Sequence, residues 1–275
     1  MTKQKIIRFL TFIILLIFGT TTFYPLIWMG YTSLKTNAEI SASTFALPET
    51  PQFINYLNAW ETARMNVYFI NSIFVTVCSI IVTLLIGALA AFILAKFQFR
   101  LKGFVYSMFI VGMLIPMQSV LVPLFIQMRS LHLLDNHLSL ILSYTAFGLP
   151  ITIFILESFI KGFPNSIIEA GIIDGCNIRR IFVMLILPMS RPAIATVIIL
   201  NFLNNWKEFS FALIFISSDG KKTLPLGLYN FIGAYSSNYS ELMAAMMIAS
   251  IPLIILYLVL QEQIINGMTA GAVKG

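Results

Sequence analysis

Six stretches of this chain are each long and apolar enough to cross a bilayer: Ile6 to Met29, Val67 to Ala95, Phe104 to Met128, Leu138 to Phe159, Ala193 to Ile216 and Glu241 to Gln261. A helix needs about 20 mostly apolar residues to traverse the hydrocarbon core. Within that core every backbone amide and carbonyl must find its partner inside the protein, so runs of this kind are expected as helices. The fold class that follows is all-α: a polytopic membrane protein of six transmembrane helices, with residues 1–275 forming a single transmembrane domain. Composition agrees, at 59% hydrophobic and 10% charged residues with a mean hydropathy of +0.90. A water-soluble domain needs far more polar surface. Lys3, Lys5 and Arg8 ahead of the first run imitate a secretory signal. That run is too long for an h-region and no clean small-x-small site follows, so it is read as an uncleaved span.

Orientation follows from the basic residues. One side would hold eleven of them, Lys3, Lys5, Arg8, Lys96, Arg100, Lys102, Lys161, Arg179, Arg180, Arg191 and Lys274. The other would hold five, Lys35, Arg64, Arg129, Lys221 and Lys222, together with Glu39, Glu49, Glu61, Asp135, Asp219 and Glu241. Both termini and the 160–192 loop are therefore expected to be cytoplasmic. The net charge of +6 is explained by this topology, and no nucleic-acid partner is expected; membrane lipid is.

Within the spans, Gly87, Ala91 and Ala95 recur every four residues, a small-residue stripe that lets another helix approach closely. Pro116 and Pro123, seven apart in the third run, each remove a backbone donor; lining of a pathway and simple kinking of the bundle are both compatible with them. The fifth run is the most polar, with Asn201, Asn204, Asn205, Trp206, Lys207 and Glu208 near its middle. Ionisable groups at such depth are costly and face a bundle interior or a water-filled cavity. Asn204, Asn205, Trp206, Lys207 and Glu208 are taken as translocation-pathway candidates, the competing reading being hydrogen bonding that only joins helices.

The 160–192 loop carries an unusual amount of helical signal for a connection. Ser166 and Glu169 read as a capping box after Pro164-Asn165. Gly175 is placed to stop that helix, and Asn177 to cap a second one through Leu187. Ile168, Gly171 and Ile172 would share one face of the first helix, with Ile167 and Ala170 beside them. Such an apolar knob outside the lipid suits a groove on a partner protein.

No catalytic constellation is present in the sequence: the outer segments Gly30 to Asn66 and Ser217 to Ser240 carry no nucleophile with a matching base, no phosphate loop and no ligand cluster. The chain is not expected to be an enzyme. Cys78 and Cys176 fall in a span and in the loop, so no disulfide or metal site is expected of them, and His132 and His137 lack metal-ligand spacing.

The loop's residues resemble the signature of the permease subunits of bacterial binding-protein-dependent ABC importers: Glu-Ala-Ala, three residues, Gly, nine residues, Ile-x-Leu-Pro. Here it reads Glu169-Ala170-Gly171, Gly175 and Leu185-Ile186-Leu187-Pro188, with Gly171 in place of the second alanine and Leu185 in place of isoleucine. Gly171 should loosen the helix by about 1 kcal/mol relative to alanine. Phe45-Ala46-Leu47-Pro48, Ala90-Ala91-Phe92 through Phe99-Arg100, and Trp206-Lys207-Glu208-Phe209 are similar to the carbohydrate-importing branch. The ending Asn266-Gly267-Met268-Thr269-Ala270-Gly271-Ala272-Val273-Lys274-Gly275 is similar to that of maltose-type permease subunits.

The resemblance implies a type I importer permease in a bacterial cell membrane. It would pair with a second, similar permease, two copies of a cytoplasmic ATPase subunit and an extracytoplasmic solute-binding protein. ATP and Mg would be bound by the ATPase subunits, and no cofactor by this chain, which has no Gly-x-x-x-x-Gly-Lys-Ser/Thr loop. It further implies an ATPase-coupling role for Ser166, Glu169, Ala170, Gly171, Asp174, Gly175, Leu187 and Pro188. The tail residues Asn266, Gly267, Thr269, Gly271 and Lys274 would reach the interface of the ATPase pair. A capping role for Glu169 competes with pairing to a basic residue of that partner. Two other functions stay open: an ABC permease for a non-sugar solute, and an ion-coupled transporter or intramembrane enzyme using Glu208 and Lys207, for which Glu157 is the further titratable candidate.

Overall fold

All the regular structure among the described residues of the computed structural model is helical; the structure describes residues 3–231 and 238–272, without the side chains of Lys3, Ile6 and the residues from 262 onward. In chain order the helices are α1 (Lys3–Thr32), α2 (Asn37–Ala42), α3 (Ile54–Trp60), α4 (Met65–Lys96), α5 (Lys102–Gly112), α6 (Met117–Ser130) and α7 (His137–Lys161). There follow α8 (Ser166–Ile173), α9 (Ile178–Ile181), a π turn over Phe182–Ile186, α10 (Leu187–Met189), α11 (Arg191–Trp206), α12 (Ser210–Phe215), α13 (Leu224–Leu228) and α14 (Tyr239–Ala272).

Four spans are single helices: Ile7–Thr32, Met65–Lys96, His137–Lys161 and Tyr239–Gln261. The other two expected runs are broken. The third, expected from Phe104 to Met128, folds as α5 and α6 meeting at 101°. Pro116, extended at ψ 130°, is the N-cap of α6 and cannot donate to the preceding turn, and a residue before proline is disfavoured in the helical region. Pro123 stays inside α6. The fifth run, expected from Ala193 to Ile216, stops at Trp206 and resumes as α12 from Ser210. At its other end, Ile178–Met189 meets α11 at 75°, at Ser190 between Pro188 and Pro192. Counting each bent pair as one span gives up to six crossings.

The chain forms two compact units, Met1–Asn66 with Gly227–Ile251, and Val67–Leu226 with Pro252–Gly275. In the first, the segment after α1 is ordered by buried polar contacts. Asn55 donates from Nδ2 to the carbonyls of Ser33 and Lys35 at 2.9 Å each. The buried Lys35 ammonium reaches the Ser43 carbonyl at 2.6 Å. Thr36 and Glu39 form a reciprocal capping box on α2. The Thr36 and Glu49 amides hold the Glu39 carboxyl below its ordinary pKa.

The second unit has two apolar clusters stacked along α4 and α7. One gathers Val75, Leu140, Tyr144, Phe211 and Phe215; the other gathers Ala91, Phe92, Leu156, Ile181, Ile186 and Val197. Between them lies a polar layer. Asn201 donates from Nδ2 to Thr152 Oγ1 at 3.1 Å and to the Val197 carbonyl at 2.9 Å, and Thr83 is buried beside Gly148. The Gly87 stripe is a helix contact: Gly87 and Ala91 are buried, and a Cβ on Gly87 would stand 2.5 Å from the Thr152 methyl of α7.

Outside the spans, Asp135 clasps the turn after α12. It accepts from the Ser218 amide at 2.8 Å, the Ser217 amide at 3.1 Å and the Lys221 ammonium at 3.2 Å. The Ser218 hydroxyl and amide are the main reason its carboxyl is held far below the usual carboxylate range. Tyr68 and Asn71 of α4 bind the same turn, through Asp219 and through the carbonyls of Gly220 and Lys222.

A Gly87→Leu change forces α4 away from α7, and overpacking of this kind costs about 1–3 kcal/mol. The purified protein should melt at a clearly lower temperature than the Gly19→Leu control, whose site has no atom within 4 Å. Equal melting of the two variants would contradict the close α4–α7 contact.

Candidate functional site

Two places collect the residues singled out in the sequence: the α8–α10 loop and the break between α11 and α12.

The loop follows α7 and is tied at its start to the last residue of α4. Lys96 Nζ donates to the Phe163 carbonyl at 2.5 Å and to Asn165 Oδ1 at 3.2 Å. That occupies Asn165, which precedes α8 in helical conformation and makes no side-chain cap. The expected capping box is therefore absent: Ser166 is already inside the helix, and Glu169 is exposed rather than folded back to cap the helix start.

The end of α8 is as expected. Gly175 sits at φ +76°, its amide donates to the Ile172 carbonyl at 3.0 Å, and the Cys176 amide donates to the Gly171 carbonyl at 2.9 Å. This pair of bonds is a Schellman closure, which needs a left-handed residue at that position. Asn177 then caps α9 through the Arg180 amide at 2.9 Å. The apolar face divides differently from the sequence expectation. Ile168 packs on the cluster of Ala91, Phe92 and Leu156, and Gly171 is buried. A Cβ on Gly171 would approach Ile181 Cγ1 and Leu185 Cδ1 at 3.2 Å, so the glycine lets α8 lie close against the following helix. Ile172 and Ile173 point outward, the latter 85% exposed, beside Glu169, Ala170 and Asp174. Leu187 is half-buried on the same cluster and Pro188 is exposed.

At the α11–α12 break the chain leaves the helix at Lys207 and re-enters at Ser210. The first amides of α12 need acceptors, and Glu208 provides them. Its carboxylate accepts from the Phe211 amide at 2.7 Å and the Ala212 amide at 3.3 Å. The Tyr144 hydroxyl of α7 donates to the same group at 2.7 Å. Glu208 is 6% exposed, whereas the adjacent Lys207 is exposed.

The break opens a cavity of about 450 Å³. Asn204, Asn205, Lys207 and Glu208 line it, together with Asn201, Tyr144, Phe147 and Gly148. Trp206 does not. Its ring stacks on Phe202 (centroids 5.3 Å apart, 11° between planes) and meets Phe69 edge-on, leaving it 3% exposed. The expectation of Trp206 as a pathway residue is thus corrected, because the last turn of α11 directs it into helix packing. Tyr144, Phe147 and Gly148 were absent from the sequence expectations. The polar run Ser143-Tyr144-Thr145 inside an otherwise apolar span was the available signal. Of the tail residues, Asn266, Gly267, Thr269 and Gly271 lie on the continuation of α14, and Lys274 falls outside the described residues.

Residues 83–269 match the family described as binding-protein-dependent transport system inner membrane component. The chain is 35% identical over 263 residues to the diacetylchitobiose uptake system permease protein NgcG of Streptomyces coelicolor, covering 95% of this chain and 87% of that protein. It is 35% identical to the sulfoquinovosyl glycerol transport system permease protein SmoH of Agrobacterium fabrum (98% and 94% covered). It is 31% identical to the melibiose/raffinose/stachyose import permease protein MelC of Bacillus subtilis (99% of each). Among solved structures, a bacterial ABC transporter that imports the acidic polysaccharide alginate has a chain of the same fold, with a TM-score of 0.83 at 24% identity over 95% of this chain and 98% of that one.

Glu208 and Tyr144 form one unit, so their removal should be non-additive. Glu208→Ala leaves the Tyr144 hydroxyl and the Phe211 amide without an acceptor, at about 1–3 kcal/mol per buried orphan. It should lower the melting temperature well beyond Lys207→Ala. Adding Tyr144→Phe to Glu208→Ala should cost less than Tyr144→Phe costs alone. Strict additivity in thermal melts would refute the latch.

Proposed function

Because the chain belongs to the family of binding-protein-dependent transport system inner membrane components, we propose that it is a membrane-spanning permease subunit of an ATP-driven bacterial importer for a sugar or oligosaccharide. It forms half of the pathway, beside a second, similar permease. Two copies of a cytoplasmic ATPase subunit hold ATP and Mg, and an extracytoplasmic binding protein delivers the solute. The observation that carries this reading is the α8 knob: a short helix fixed on one face to the span ends while Glu169, Ala170, Ile172 and Ile173 stay free on the other. A helix seated in this way can take a push from a soluble partner and hand it to α4, α7 and α11. The sugar assignment is supported by relatives that act on diacetylchitobiose, sulfoquinovosyl glycerol and melibiose-type sugars.

In this reading Glu169 is available to pair with a basic residue of the ATPase, Gly175 fixes the exit of the coupling helix, and Leu187 and Pro188 lead into the bend. The α14 continuation with Asn266, Gly267, Thr269 and Gly271, followed by Lys274, reaches towards the ATPase pair. An ion-coupled mechanism through Glu208 is disfavoured, because that carboxylate is already committed to two helix amides and Tyr144.

Coupling is tested by Glu169→Lys and Gly175→Pro in the reconstituted importer. Proline is fixed near φ −65° and cannot adopt the +76° of Gly175. Both variants should assemble, yet lose most of the binding-protein-stimulated ATP hydrolysis. Full stimulation in both would remove the coupling assignment.

Topology is tested separately in intact cells. A cysteine at Ser217 should react with a membrane-impermeant maleimide from outside, and one at Ser166 should react only after permeabilisation. Labelling of Ser166→Cys in intact cells would reverse the proposed orientation and exclude the ATPase contact.

A further inference from the structure

A groove runs along the end of α4. Its wider part, about 740 Å³, is lined by Leu89, Ile93 and Phe97 together with Ile178 and Val183 from α9 and the π turn. Buried Phe92 also lines it, with its ring centroid 5.6 Å from that of Phe97 and 5.2 Å from that of Phe182. A second cavity of about 240 Å³ shares Leu89 and Phe182 with the first and continues to Leu84 and Leu85, with only apolar residues in its lining. Polar side chains enter only in the wider part, as Gln98 and Arg179. Arg179 is exposed, and its guanidinium forms no ion pair among the described residues. We propose that this groove binds one anionic phospholipid, with an acyl chain laid along α4 and the headgroup phosphate on Arg179.

Length, depth and charge agree on this occupant. From Leu84 to Lys96, the last residue of α4, the helix rises about 18 Å at 1.5 Å per residue. One leaflet contributes about 15 Å of the roughly 30 Å hydrocarbon core, so a chain anchored at the end of α4 fills the groove and stops near mid-bilayer. Lys96, Arg100 and Lys102 mark that end of α4 as the headgroup level, and Arg180 adjoins Arg179. Lys96 is spent on Phe163 and Asn165, whereas Arg179 is not. A guanidinium presents a planar fork of donors that matches phosphate oxygens, and basic pockets between spans on the cytoplasmic side suit anionic headgroups. A water-soluble partner cannot follow the groove to Leu84, which lies within a span. A helix of the second permease would fill apolar surface but need bring no anion to Arg179. The leaflet follows from the proposed orientation, which the Ser166 labelling reads separately, and the groove does not depend on the solute carried.

The test uses the assembled importer in nanodiscs that carry a constant trace of phosphatidylglycerol with a diazirine on one acyl chain. Adducts formed on photolysis are mapped by peptide mass spectrometry, first in a phosphatidylcholine host and then in a phosphatidylglycerol host. Adducts on the other spans report ordinary lipid contact. In phosphatidylcholine the groove segments, 84–99 and 178–183, should be labelled in preference to those spans. The phosphatidylglycerol host should lower groove labelling by about fivefold, the weight of one basic residue against an anionic lipid, and leave labelling elsewhere unchanged. Arg179→Gln should lower groove labelling by a similar factor in phosphatidylcholine, and Arg179→Lys should restore most of it. Equal groove labelling in the two hosts, or labelling that Arg179→Gln leaves unchanged, overturns the anionic site. Benzoylphenylalanine at Leu85 checks the occupant directly and should crosslink to lipid. A crosslink to the second permease in its place would give the groove to that subunit and overturn the proposal.

Discussion

A helix that stops among apolar side chains leaves amides or carbonyls that no water can reach, and each such group must be answered from within the protein. This chain meets that constraint at the α11–α12 break with a single carboxylate. Glu208 closes the start of α12, and Tyr144 of α7 holds Glu208 in place. An acidic residue at this depth is otherwise hard to account for. The latch has wider consequences. It sends α12 back against α6 and α7, where Phe211 and Phe215 complete the cluster around Val75 and Leu140, and it holds open the cavity beside the break.

The other end of the same unit is built in the opposite manner, without charge in its core. Ile181, Phe182 and Ile186 of the loop are buried among Ala91, Phe92, Leu156 and Val197 of three long helices. Close packing makes such a cluster poorly compressible, so α8, seated on it through Ile168 and Gly171, moves with the span ends and not independently. The π turn over Phe182–Ile186 and the 75° bend at Ser190 convert the direction of the loop helix into that of α11. Between this rigid end and the latched break runs the polar layer of Thr83, Thr152 and Asn201, in which Gly148 has no room for a side chain: a Cβ there would collide with Asn201 Oδ1.

Hydropathy found all six apolar runs because it measures transfer from water, and transfer depends on composition alone. It could not find the 101° turn at Pro116 or the interruption after Trp206, since a run reads the same whether straight or bent. Pro116 signalled a defect without stating its size. In the loop, Gly175 and Asn177 were legible because a left-handed φ and an N-cap are local requirements. Ser166 misled, since the competing partner of Asn165, Lys96, lies far away in sequence. Trp206 misled for a similar reason: an indole within a polar belt reads as a pathway residue until Phe202 and Phe69 are seen to cover it. Tyr144 and Asp135 act only through residues more than sixty positions distant, which no local pattern encodes.

Lys207 and Glu208 show how little adjacency says about role. One residue apart in a straight helix, they would differ by about 100° around the axis and share one depth. The break separates them further: Lys207 terminates α11 and is exposed at the cavity, while Glu208 turns inward and is consumed by structure. The polar belt therefore splits into two functions that the sequence presents as one. Glu208, Tyr144 and Asn201 hold the architecture, their hydrogen bonds already made. Asn204, Asn205 and Lys207 line the cavity that this architecture encloses, and Lys207 and Asn204 keep exposed polar groups there.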